Sequence, residues 1–373
     1  MPPGAAASPE GLARKIARDI VLPAGFARAV VDWQRVHGRH GLPWHGLADP
    51  YRVWLSEVML QQTQVSVVLA YWPRFLDRFP DVATLAAAPL DDVLAAWSGL
   101  GYYARARNLH RAAQAVVAQH GGAFPRTSDR LATLPGVGRS TAAAVAAFAF
   151  GERAAILDGN VKRVLARVLA FAGDLASARE VEALWDRATA LLPEDAADMP
   201  AYTQGLMDLG ATVCLPRAPR CLVCPVETLC AARRAGEPER YPVKTVRHRR
   251  VALRSAWLEL RQGERVFLVR RPSSGVWAAL WSLPEFADVA ALERAVAGWP
   301  GDAVRLAPFT HVLTHRDWTF EPVRKTLPAR PPRAVLAAIE AAWPEGRWWR
   351  LDEALGLGLP APLRKRLAGT PEA

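Results

Sequence analysis

The 373-residue sequence predicts a mainly α N-terminal region followed by a smaller α+β domain. Three observations carry this. Apolar residues recur at helical spacing from about 26 to 229, with almost no alternating strand pattern. All four cysteines, Cys214, Cys221, Cys224 and Cys230, fall in one short segment at the end of that stretch. Beyond it, the polar, basic run RRAGEPERYPVKTVRHRR gives way to segments that read as strands.

The helical elements follow from local signals. Asp49-Pro50 starts a helix, and the pattern runs on through 51–79 with Trp54, Val58, Val65, Val68 and Trp72 at helical spacing. Pro80-Asp81 and Pro89-Leu90-Asp91-Asp92 open the next segments. Val161, Val164, Leu165, Val168 and Leu169 form one apolar helix face, and 154–157 reads as a short strand. In the C-terminal part, 251–272 reads as a hairpin turning near Gln262-Gly263, with further strands in 275–286 and 311–323. Helices are expected near 289–296 and 334–343. The domains expected are a variable tail at 1–24, a helical domain at 25–231, a basic linker at 232–250 and an α+β domain at 251–373. No internal repeat is present.

Composition narrows the function. Half of the residues are apolar, so the chain is globular, and its length suffices for two cores. The net charge of +11, from 47 Lys and Arg against 36 Asp and Glu, favours a polyanionic partner. No apolar run reaches the roughly 18 residues that span a membrane. The N-terminus has no apolar signal-peptide core, which points to the cytoplasm.

Four segments carry chemistry. In SEVMLQQTQ, Glu57 sits in an otherwise apolar helix. Either it faces solvent, or burial raises its pKa and makes it a proton donor near neutral pH. In LPGVGRST, Gly136 and Gly138 permit a tight turn; it is either an ordinary connection between helices or a helix-hairpin-helix whose following helix offers its free N–H groups to a phosphate. In ILDGNVKRV, Asp158 either caps the following helix or sets a negative charge against a cation developing on a sugar, and the two roles are compatible. The spacing C-x6-C-x2-C-x5-C lets four thiolates wrap one metal centre; it favours an iron–sulfur cluster over zinc, whose ribbons pair two C-x2-C knuckles.

Together with LPW at 42–44, DPYRVWLSEVMLQQTQV and GLGYYARARNLHRAA, these segments resemble the helix-hairpin-helix DNA glycosylases of the endonuclease III superfamily, and within it the adenine DNA glycosylase (MutY) family. The resemblance implies two helical subdomains with a DNA-facing cleft, a [4Fe-4S] loop held by the four cysteines, and a Nudix-like C-terminal domain. It implies a monomer acting on double-stranded DNA that holds adenine opposite 8-oxoguanine or guanine. On this reading Glu57 protonates N7 of a flipped adenine, and Asp158 stabilises the oxocarbenium ion. Gln62 and Tyr102 probe or wedge the stack around the oxidised guanine, and Leu60 makes a further contact in the same region.

The same resemblance makes Ser140 informative. Relatives that also cut the strand have lysine there to form a Schiff base, and a hydroxyl forms no imine, so base removal without efficient strand cleavage is expected. The family's Phe-Ser-His is matched by Leu313-Thr314-His315, in which leucine stands in place of the aromatic residue, with Phe309-Thr310-His311 as a rival. No acidic Nudix signature is present, so no pyrophosphohydrolase activity is expected. Two alternatives are an endonuclease III-like glycosylase/lyase on oxidised pyrimidines, opposed by Ser140 and the extra domain, and a catalytically silent DNA-binding protein, opposed by retention of Glu57 and Asp158.

Overall fold

The computed structural model describes residues 22–245 and 250–369. Most of the expected tail, 246–249 of the linker and 370–373 lie outside them. In chain order the helices are α1 (Phe26–His37), α2 (Pro50–Leu60), α3 (Val65–Arg78), α4 (Val82–Ala87), α5 (Leu90–Ala96), α6 (Ala104–His120), α7 (Ser128–Leu131), α8 (Arg139–Phe150), α9 (Gly159–Val168), α10 (Ala178–Ala190), α11 (Met199–Thr212) and α12 (Ala231–Arg234). They are followed by α13 (Val289–Val296), α14 (Arg333–Ala342), α15 (Leu351–Leu355) and α16 (Ala361–Leu367). The strands are β1 (Val251–Gln262), β2 (Arg265–Arg270), β3 (Trp281–Ser282), β4 (Glu285–Phe286), β5 (Ala303–Arg305), β6 (Phe309–Val312), β7 (Arg316–Leu327) and β8 (Arg347–Arg350). Among the described residues no helix is long and apolar enough to cross a membrane.

Among the described residues, 22–62 and 118–245 form one compact unit, and 63–117 with 250–369 form a second. The helical region is thus shared between the units, with 63–117 grouped with the strands. The expected continuous helix over 51–79 is interrupted at its polar QQTQ: α2 ends at Leu60, Gln62 takes a left-handed φ of 55°, and α3 starts at Val65.

The first unit is built on the apolar faces of α1, α9, α10 and α11. Val161, Val164, Leu165 and Val168 of α9 are all buried, joining Phe26, Val30, Leu184, Tyr202 and Leu206 in one core. Residues 154–157 form no strand, because Leu157 N–H donates to a side chain, Ser140 Oγ, rather than to a neighbouring strand. The described part of the linker is fastened to this unit: Leu175 N donates to Val243 O at 3.0 Å, and Arg167 Nε donates to Tyr241 O at 3.1 Å.

In the second unit β1 and β2 form the expected hairpin, and β1 runs parallel to β7 from Val251↔Arg316 to Gln262↔Leu327. β7 also pairs antiparallel with β5 and β6, β2 with β3 and β8, and β1 with β4. Ala256, Leu258, Leu260, Val323 and Leu327 line one sheet face and are covered by Leu292 and Val296 of α13 and by Val335 and Ile339 of α14. β5 shows no strand pattern in the sequence because all three of its residues are exposed and leave no alternation.

Candidate active site

α2 is started by local chemistry. Asp49 Oδ1 accepts from Tyr51 N at 2.9 Å and from Arg52 N at 3.3 Å, and Pro50 holds the first helical position. Tyr51, Val53, Trp54, Leu55, Ser56, Val58 and Met59 are buried, and Glu57 is partly buried among them. Burial, then the negative charge of Asp158, pushes the Glu57 carboxyl up to about 8. It is therefore not a solvent-facing glutamate; it holds its proton at neutral pH and can donate it.

Asp158 fulfils the capping reading and keeps capacity for another role. Its Oδ1 accepts from Val161 N at 2.8 Å and caps α9. Its Oδ2 makes no hydrogen bond among the described residues. The fold thus brings together two carboxyl groups 101 residues apart in sequence, close enough for the charge of Asp158 to add to the rise of Glu57.

The hairpin lies between α7 and α8. Gly136 needs its left-handed φ of 75°, whereas Gly138 is the N-cap of α8 at an ordinary φ of −81°. Among the described residues no side chain caps α8, which leaves its first N–H groups for an outside acceptor. Ser140 Oγ accepts from Leu157 N at 3.0 Å, and Leu157 immediately precedes Asp158. The hairpin helix therefore supports the segment that presents Asp158. A second tie, Gln61 Nε2 donating to Thr141 Oγ1 at 3.2 Å, joins the end of α2 to α8. Sequence reasoning missed both supports, since neither pair is marked by spacing.

The four cysteines line one pocket with Val164, Arg167, Val168, Leu209 and Val213. Burial pushes the Cys224 thiol up to about 12 and raises that of Cys230. Arg167 spans the segment of the first cysteine, donating to Cys214 Sγ at 3.4 Å, Leu215 O at 2.6 Å and Pro216 O at 2.9 Å. Among the described residues no three His, Cys, Asp or Glu side chains form a group that could hold a metal ion. Arg217 and Arg220, between the first two cysteines, are exposed.

In the second unit Tyr102 takes a left-handed φ of 48°, is 47% exposed, and shares a 3.2 Å hydrogen bond between its hydroxyl and Thr314 Oγ1. Thr314 and His315 are exposed in the turn joining β6 to β7. Phe309-Thr310-His311 lies instead on β6: Phe309 packs on Trp257 and Phe320, and His311 on Trp277. Burial there lowers the pKa of His311. Leu60 is partly buried and Gln62 exposed at the end of the first unit's N-terminal stretch, 22–62.

A family model described as HhH-GPD superfamily base excision DNA repair protein matches residues 55–189, and a NUDIX domain model matches 256–369. An adenine DNA glycosylase of Buchnera aphidicola subsp. Acyrthosiphon pisum is 31% identical over 351 residues, covering 92% of this chain and 96% of its own. The adenine DNA glycosylase of Homo sapiens is 33% identical over 402 residues, covering 90% of this chain and 72% of its own. Among solved structures, a thermostable thymine-DNA glycosylase is similar with a TM-score of 0.50 and 28% identity, covering 60% of this chain and 99% of its own.

Proposed function

Because the chain belongs to the adenine DNA glycosylase family and is thereby a DNA-binding glycosylase of base excision repair, we propose that its substrate is adenine mispaired with 8-oxoguanine, or with guanine, in double-stranded DNA, and that it acts as a monomer in the cytoplasm. The observation that carries the chemistry is the Glu57 acid held at about 8 beside the Asp158 charge. Adenine leaves poorly as an anion. Glu57 protonates it at N7 so that it departs neutral, and the free oxygen of Asp158 faces the positive charge that builds on the sugar. The target bond lies inside the duplex, so the adenosine is flipped out. Gly136, Gly138 and the first turn of α8 grip the backbone without reading sequence. Tyr102, Gln62 and Leu60 occupy the stack at the mispair, and Thr314 and His315 read the oxidised base; their place in a turn, against the packed Phe309-Thr310-His311, supports this choice. With Ser140 in place of an amine no imine forms, and the product is an intact abasic strand.

Cys214, Cys221, Cys224 and Cys230 would hold a [4Fe-4S] cluster. They line one pocket, and their spacing holds a single C-x2-C knuckle where zinc ribbons pair two, which supports the cluster over zinc. When bound, the cluster supplies rigidity to the basic loop of Arg217 and Arg220. Purified protein is expected to contain about four iron atoms and four acid-labile sulfides per chain, and zinc in their place would overturn this assignment.

The substrate is tested by single-turnover excision from duplexes with adenine opposite 8-oxoguanine, guanine or thymine, with and without alkali. Excision is expected to be fastest opposite 8-oxoguanine, with strand breaks only after alkali, and His315→Ala should narrow the preference over guanine. Equal rates on all three duplexes, or breaks without alkali, would contradict the proposal.

A further inference from the structure

We propose that Arg364, on α16, is a positioning residue for the loop that carries Tyr102, so that the C-terminal segment of the second unit sets how the probing tyrosine is presented. This rests on the reading of Tyr102 as the side chain that enters the stack.

The loop from Trp97 to Tyr103 is not one the chain would hold unaided. Gly99 at φ +109°, Gly101 at +71° and Tyr102 at +48° all lie in the left-handed region, which for a tyrosine is disfavoured. A Cβ at Gly99 would lie 2.0 Å from the hydroxyl of Tyr71, which donates to Ser98 O at 2.9 Å. Part of the support is local. Arg105 donates through Nη2 to Leu100 O at 3.1 Å, to Gly101 O at 3.2 Å and to Thr63 Oγ1 at 2.9 Å, and its guanidinium lies over the Tyr102 ring.

The remaining support comes from more than 250 residues further along the chain. Tyr103 Oη donates to Leu359 O at 2.8 Å. Arg364 uses all three of its nitrogens: Nε donates to Ser98 Oγ at 3.0 Å, Nη1 to Leu355 O at 2.5 Å and Nη2 to Leu357 O at 2.6 Å. Ser98 Oγ also lies 3.3 Å from Tyr103 Oη, which closes a ring of Ser98, Tyr103, Leu359 and Arg364. Backbones approach closely here, since a Cβ at Gly358 would lie 2.9 Å from Leu94 Cβ. These are charge-assisted bonds from a planar fork, the type that fixes geometry as well as adding stability. The far end of the tyrosine is held by the same unit, through Thr314. Arg364 therefore holds the base of the loop while its tip is free to exchange its partner for DNA.

The test uses the full chain and a duplex with 2-aminopurine beside 8-oxoguanine, whose fluorescence rises when the stack is opened. At saturating protein, Arg364→Met is expected to lose most of that rise and to slow single-turnover excision on the order of tenfold, from loss of the charge-assisted bond to Ser98 Oγ, the one of its three that reaches the loop. Ser98→Ala should act in the same direction, and the double variant should lose less than the two single losses combined, because both remove the shared bond between Arg364 Nε and Ser98 Oγ. Tyr102→Ala is the reference. If it loses the fluorescence rise while Arg364→Met and Ser98→Ala keep it, the positioning role is wrong and the reading of Tyr102 stands. If Tyr102→Ala keeps it as well, the reading of Tyr102 fails and the inference falls with it. A slower Arg364→Met with an unchanged rise would also overturn it, and if that variant does not fold, Ser98→Ala decides.

Discussion

Glu57→Gln is expected to lower single-turnover excision on the order of 10³-fold, within the range that a positioned general acid contributes, while duplex binding is retained. Glutamine keeps the shape of the side chain but cannot deliver a proton. The wild-type pH profile should show the same group. With its carboxyl raised to about 8 by burial and by Asp158, Glu57 is protonated at pH 6 and half protonated near the raised value. Excision should be level on the acid side and fall tenfold per pH unit well above it. An acid of ordinary pKa would already have failed by neutrality. A profile that stays level to pH 10, or a Glu57→Gln variant near wild-type speed, would remove Glu57 from the mechanism.

Asp158→Asn should be nearly as severe, on the order of 10³-fold, because a charge placed against a developing cation is worth most where water is excluded. Asparagine is as good an N-cap as aspartate, so the bond to Val161 N can survive and thermal stability should change little. Asp158→Ala removes both roles and should cost about 1 kcal/mol of stability in addition. Because the Asp158 charge helps to raise Glu57, the falling limb of the residual Asp158→Asn activity should move to lower pH. Comparing the melting and single-turnover profiles of the two variants separates the cap from the chemistry. Equal loss of stability in both, with activity retained in Asp158→Asn, would reduce Asp158 to a cap.

Much of this architecture is legible in the order of the residues. Asp49-Pro50 and Asp81 mark helix starts because a carboxylate satisfies the free N–H groups of a first turn, a matter of two or three residues. The 3.6-residue period exposes the buried face of α9, and alternation exposes the β1–β2 hairpin. The cysteine spacing and the two glycines of the hairpin are legible for the same reason, as is the family resemblance that singles out Glu57 and Asp158. Where a local signal is missing, periodicity misleads or falls silent: the polar QQTQ breaks a helix whose apolar spacing runs straight through it, and β5 has no buried residue to betray it.

Most helix starts, the cysteine spacing and the hairpin turn follow from the residues alone, and the family resemblance marks Glu57 and Asp158 as the candidate acids. It takes the folded chain to establish that Glu57 is partly buried near Asp158, that Ser140 supports Leu157, that Thr314 rather than Thr310 meets Tyr102, and that Arg364 reaches Ser98 across 266 positions. The division is physical. Caps, periods and turns arise from forces between chain neighbours and leave a repeating mark. A protonation state or a bond between distant residues depends on which surfaces the whole fold presses together, and leaves none.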